Sequence, residues 1–192
     1  GWEKTNGLIA FHGAGGGGSM MSMDAVSNEG FTLANFTDTS GNPSVAKVYQ
    51  AARIILSQPH LRGYFGSGSG VASQEQYHSA YGLAKAFIEL KMEIPAVIRL
   101  GGNSEDRAVD ILEDACKNLP AQIRGFKKDD TPGRCASVFA NLVEDTNKTN
   151  DGMTRHVPDF VGSDSAASFP IKYGVLWIDN LTNEVAEIVV NN

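Results

Sequence analysis

The chain has 192 residues, 42% of them hydrophobic, and 16 basic against 22 acidic residues give a net charge of −6. That suits one compact domain with a real core plus a short appendage. A negative chain without a Lys/Arg cluster argues against nucleic acid or an anionic membrane as partner, although backbone N–H groups can still build a local anion site.

Short apolar runs alternate with amphipathic stretches, the rhythm of βα units on a mostly parallel sheet. Leu8 to His12 reads as strand one; it runs into Gly13–Gly18 and a helix over Ser19–Ser27. Phe31 to Thr37 is strand two. Asn42 followed by Pro43 reads as a helix start, and Val45, Val48, Ala52 and Ile55 share one face of that helix. Leu61 to Phe65 is strand three, followed by Gly66-Ser-Gly-Ser-Gly70. A long helix over Ser73–Met92 comes next, with Tyr77, Ala80, Leu83, Ala84, Phe87 and Leu90 as its apolar stripe. Pro95 to Leu100 and Gln122 to Phe126 are strands four and five. The helices that follow them are expected over Ser104–Lys117 and from Thr131-Pro132 to about Asp145. The expected architecture is a flavodoxin-like open five-stranded parallel sheet with helices on both faces, over residues 1–148. Residues 149–192 read as a polar linker and a C-terminal β-hairpin, Lys172–Ile178 with Glu184–Val190, with Trp177 on its buried face.

Two cysteines, Cys116 and Cys135, form no C-x-x-C pair and are too few for a disulfide scaffold. A reducing cytoplasm is therefore expected. No run of about 18 apolar residues exists, so no membrane-spanning helix is expected. Asn35, Asn147 and Asn180 sit in glycosylation sequons, which arise often by chance. Gly1–Asn6 is polar and shows no signal-peptide pattern, and a start without Met suggests a fragment or a processed end.

In an open α/β sheet, ligands bind beyond the carboxyl ends of the strands. Two glycine-rich segments fall there, Gly13–Gly18 and Gly66–Gly70. Each is expected to open a helix, whose amino end carries about half a positive charge. An anion, phosphate or carboxylate, is the expected ligand; flexible turns that bind nothing are the competing explanation. Gly66, Gly68 and Ser69 are read as the phosphate-facing loop. No Walker loop, metal-ligand spacing or Ser/His/Asp motif is present, so no metal and no catalytic side chain is assigned. His12, at the end of strand one, either contacts a carboxylate or caps the strand by hydrogen bonding. His60, His78 and His156 are assigned no role. Asp24, Asp38 and Asp106 read as caps. The Met20-Met21-Ser22-Met23 cluster reads as core filling.

The residues also resemble a family. Gly13-Ala-Gly15 with Ser22-Met-Asp24 resembles the NGAG…TMD stretch of succinyl-CoA synthetase β subunits. Ala34-Asn-Phe-Thr-Asp38 with Gly41 is similar to their ANFLDVGG, Ala52–Ser57 to the end of the next helix, and Pro95–Leu100 with Gly102-Asn103 to PVVVRLEGN. The matches run in family order over residues 7–117. Gly66–Ala72 is similar to the GGSIAN loop of ATP-citrate lyase. The resemblance implies the carboxy-terminal domain of an acid–CoA ligase. That domain would pair with a CoA-binding α subunit, whose phosphohistidine faces the glycine loops. Mg-ATP or Mg-GTP would bind a separate ATP-grasp domain, with no cofactor held by this chain. By position, the family's carboxylate-contacting Asn falls on His12, next to Gly13, and its GGIV loop on Gly70, Val71, Ala72 and Ser73. His for Asn, a first loop two glycines longer and a missing RCD point to an acid other than succinate. A stand-alone module for FMN or a small phosphate ligand, and a non-catalytic assembly domain, stay open beside this reading.

Overall fold

The computed structural model describes residues 6–149 apart from 69 and 71; the expected linker and hairpin, Trp177 and His156 lie outside the described residues. Five parallel strands form the main sheet: β1 (Gly7–Ala14), β2 (Phe31–Asp38), β3 (Leu61–Gly68), β5 (Ala96–Arg99) and β7 (Ile123–Phe126). Their order, β2-β1-β3-β5-β7, is the flavodoxin-like arrangement. The chain moves outward from β1 to β2 and then crosses back to β3, so the topological switch lies between β1 and β3.

Five helices cover the two faces: α1 (Gly16–Asn28), α2 (Val45–Leu56), α3 (Tyr77–Glu89), α4 (Glu105–Cys116) and α5 (Pro132–Thr149). Strand alternation decides which residues meet which helices. Ala10, Tyr64, Ala96 and Ile98 point to one side and bury against α2, α3 and α4. Ile9, Phe11, Phe65 and Val97 point to the other, where Val26 of α1 and Cys135, Ala136 and Phe139 of α5 close a second core. Gly82 lets α2 and α3 approach: a Cβ there would lie 2.7 Å from the Val45 carbonyl oxygen.

Four expectations need correction. Gly66-Ser67-Gly68 is not a loop but the end of β3, paired to β1 as far as Ala14↔Gly68. The Cα hydrogens of Gly66 and Gly68 face close neighbours, a side-chain tip at the first and backbone at the second. A Cβ at Gly66 would sit 2.9 Å from Ile98 Cδ1, and one at Gly68 2.5 Å from the Arg99 carbonyl oxygen. The long helix begins at Tyr77 rather than Ser73, because Ala72–Glu75 forms a short strand, β4, beside β6 (Gly102–Asn103). Asn42 does not cap α2. Ser44 does, accepting from the Lys47 N–H at 3.2 Å, while Asn42 accepts from the Gln74 N–H at 3.0 Å and donates to Ser73 Oγ at 3.1 Å. Met20 and Met21 are exposed, not core. The helix starts inside the glycine run, so its buried i, i+3, i+7 face is Ser19, Ser22 and Val26.

Candidate functional site

At the carboxyl ends of β1, β3 and β5, on the α2/α3 side of the sheet, lies a half-open cleft of about 320 Å³, mouth included. His12 and Thr39 line it from the strand ends, with Gly66 and Gly68 beside them; Gln76 and Ser79 enter from the start of α3. Val48, Leu83, Ile98 and Leu100 make up its aliphatic wall. This is the switch point, where strands β1 and β3 send their connections to opposite faces.

His12 is the best-defined polar residue in the cleft. It lies within β1 rather than at its end and is 5% exposed. Both ring nitrogens are engaged: Nδ1 with the Tyr64 hydroxyl at 2.5 Å and Nε2 with Thr39 Oγ1 at 3.0 Å. Thr39 Oγ1 in turn donates to the Gly13 carbonyl at 3.4 Å. One proton arrangement satisfies the whole line. The fully buried Tyr64 hydroxyl donates to Nδ1, Nε2–H donates to Thr39, and Thr39 donates to Gly13. Burial lowers the His12 pKa to about 4, against a smaller raising effect from Asp38, so the ring is neutral at pH 7. Burial also pushes the Tyr64 hydroxyl well above its ordinary value. Of the two sequence readings of His12, the hydrogen-bonding one describes this geometry. For the ring to contact a carboxylate, one of these bonds would have to break.

The helix starts around the sheet differ. α2 is capped by Ser44, α4 carries Glu105 and Asp106 in its first turn, and Thr131 Oγ1 accepts from the Arg134 N–H at the start of α5. α1 and α3, the two that follow β1 and β3, have neither a capping side chain at their N-cap residue nor an acid in the first turn. At α1 the Gly15 N–H reaches Asp38 Oδ1 at 3.2 Å, and Asp38 also accepts from the Ser40 N–H. The uncapped start of α3 opens on the cleft, through Gln76 and Ser79. Such a turn attracts a carboxylate or phosphoryl group.

The other expected site residues are spread around this cleft. Gly13 lies on the opposite side of β1, where Ser19 Oγ occupies the space a side chain would need. Gly70 adopts φ +72° beside the Arg99 guanidinium. Ala72 is in β4. Ser73 is exposed, and its carbonyl accepts from Asn103 Nδ2 at 2.6 Å. Ser69 and Val71 lie outside the described residues. Thr39, Gln76, Ser79 and Tyr64 were not anticipated. Thr39 could have been found as the residue following strand two, but nothing local marks Tyr64 as the partner of His12. Asp24 is exposed in mid-helix, and Asp106 pairs with Lys127. Among the described residues no group of three or more His, Cys, Asp or Glu could hold a metal ion, and no helix is long and apolar enough to cross a membrane.

A family model described as ATP citrate lyase citrate-binding matches residues 4–132. The β subunit of the ADP-forming succinate–CoA ligase of Alkaliphilus oremlandii is 34% identical over 105 residues, covering 55% of this chain and 27% of that protein. The β subunit of the GDP-forming ligase of Thermus thermophilus is 32% identical over 113 residues, covering 58% and 29%. The chain thus spans less than a third of the length of these relatives. ATP citrate lyase from Methanothrix soehngenii, solved with citrate and coenzyme A, shares the fold at a TM-score of 0.60 and 21% identity, covering 68% of this chain and 38% of that one.

Proposed function

Because the chain belongs to the ATP citrate lyase citrate-binding family, we propose that it is the carboxylate-binding domain of an ATP- or GTP-dependent acid–CoA ligase. A CoA-binding partner carrying a phosphohistidine and an ATP-grasp domain would complete the enzyme, in the cytoplasm. The nucleotide and CoA would supply phosphoryl and acyl-acceptor chemistry from those other parts. This chain's task is to bind and orient the acid. The observation that carries this reading is the uncapped, acid-free first turn of α3 opening on the switch-point cleft. Its N–H groups and half-charge favour a carboxylate or phosphoryl group by roughly 0.3–1 kcal/mol at an exposed site and more where water is excluded. Neutral His12 holds Thr39 in place beside it and moves no proton near pH 7.

Two measurements test the proposal. Affinity capture on the full chain, with bound proteins identified by mass spectrometry, should recover a CoA-binding protein. The reconstituted assembly should then form an acyl-CoA from ATP or GTP, CoA and an acid. A folded chain that captures nothing, or purifies yellow with bound flavin, counts against a ligase. Ser79→Glu separates a ligand seat from a turn that is merely bare. An acid in the first turn should stabilise the helix by about 0.3–1 kcal/mol while repelling the substrate, raising KM. Stabilisation with KM unchanged would remove α3 from the site.

A further inference from the structure

Given the ligase reading above, the seat of the acid depends on where Gln76 and Ser79 stand, since both line the cleft from the start of α3. Further along, packing holds this helix: Ala80, Leu83, Ala84 and Phe87 are buried in the core shared with α2 and α4. Its start has no such anchor, and the N-cap Gln76 makes no capping side-chain hydrogen bond.

Two asparagines hold the residues just ahead of it. β2 and β5 lie on opposite sides of β3 in the sheet, so the loops that follow them flank the segment leading from β3 to α3. From the loop after β2, Asn42 Oδ1 accepts from the Gln74 N–H at 3.0 Å, and Asn42 Nδ2 donates to Ser73 Oγ at 3.1 Å. The donor and the acceptor end of this amide are thus both spent on the lead-in to α3. Gln74 Nε2 adds a bond to the Pro43 carbonyl at 2.7 Å. From β6, after β5, Asn103 Nδ2 donates to the Ser73 carbonyl at 2.6 Å, and the Asn103 carbonyl accepts from the Gln76 N–H at 2.9 Å.

Both loops contain a left-handed residue that is not glycine, Ser40 at φ +69° and Ser104 at φ +54°. Such a conformation is costly and persists where its surroundings fix it. The first lies shortly before Asn42 and the second directly after Asn103. The two asparagines are exposed, so their side-chain bonds replace bonds to water at little net gain in global stability. Their effect is local, on the main chain that enters α3. We propose that Asn42 and Asn103 are positioning residues for the acid: they fix the lead-in to α3 and with it the places of Gln76 and Ser79 in the cleft.

The full chain, labelled with nitrogen-15, is titrated with citrate and with inorganic phosphate, alone and with its captured CoA-binding partner. Asn42→Ala and Asn103→Ala should each weaken anion binding at least fivefold, with urea midpoints close to that of the unaltered chain. Asn6→Ala is the comparison. Asn6 Nδ2 donates to the Glu29 carbonyl at 2.6 Å, an exposed bond at the other end of the sheet, and its loss should change binding less than twofold. In the reconstituted assembly, the KM for the acid turned over should rise at least fivefold in the two variants while the KM for CoA stays within twofold. General loosening of the fold would not give that split. Without ligand, exchange of the Ala80 N–H, which closes the first turn of α3 onto the Gln76 carbonyl, should quicken at least tenfold. Unchanged binding and KM in both variants, unchanged Ala80 exchange, or an equal loss in Asn6→Ala overturns this inference and leaves the ligase reading standing. Binding of neither anion and turnover of no acid by the unaltered chain, with the partner present, overturns both readings together.

Discussion

The two glycine-rich segments look alike in sequence and do different physical work. In Gly13–Gly18 the helix starts within the run, and a Cβ on Gly16 or Gly17 would meet nothing within 4 Å. In β3 the glycines are demanded by packing: a Cβ on Gly63 would lie 2.5 Å from the Phe139 ring, and those on Gly66 and Gly68 would strike Ile98 and the Arg99 carbonyl. In the second segment Gly68 is thus fixed by the backbone that closes over it and Gly70 by its φ of +72°, whereas packing gives no reason for Gly16 and Gly17. Glycine density alone does not identify a phosphate loop. The space around each Cα distinguishes a backbone left accessible from one that is merely crowded.

The largest effect should come from filling the crowded segment. Gly68→Val places a branched side chain against backbone that cannot yield and should cost about 3 kcal/mol or more, read as a lowered urea midpoint. A loss under 1 kcal/mol would return β3 to the status of a loose loop. The buried histidine beside it gives the next effect. Its folded pKa, about 4, lies below the ordinary 6.5, so the unfolded chain binds the extra proton as pH falls through that window. Stability is therefore full above pH 6.5 and should fall by on the order of 3 kcal/mol by pH 4, through this group alone. The His12→Gln variant should flatten that part of the profile. Tyr64→Phe leaves the buried Nδ1 without its donor and should cost about 1–3 kcal/mol; carbon and nitrogen shifts of the ring should show the Nε2–H form losing its dominance. The smallest effect has the opposite sign. Gly16→Ala and Gly17→Ala should each stabilise α1 by about 0.5–1 kcal/mol, seen as a raised Tm, because the helix gains propensity where no neighbour objects. Destabilisation there would erase the contrast between the two segments.

Much of the fold was legible. Five apolar runs at βα spacing are local signals, and they yield the five-stranded parallel sheet. The family motifs, in order, point to the same domain. The misplaced boundaries share one cause. Ala72–Glu75 is a strand because Gly102–Asn103 pairs with it and Asn42 fastens Ser73 and Gln74, contacts about 30 residues distant. A window centred on Ser73 sees only a polar, helix-compatible run. Met20 and Met21 misled for a related reason: once α1 begins at Gly16, small serines face the sheet and the large side chains turn outward.

The sequence by itself determined the class of fold, the order of its units and the family, because each depends on periodicity or on residues close in the chain. Only the tertiary structure decided what His12 does, by setting Tyr64 and Thr39 against its two nitrogens from 52 and 27 residues away. It also decided where the Arg99 guanidinium goes, onto the carbonyls of Lys128 and Asp130 and beside Gly70. Those features depend on which groups meet across strands and helices, and no local stretch of sequence encodes them.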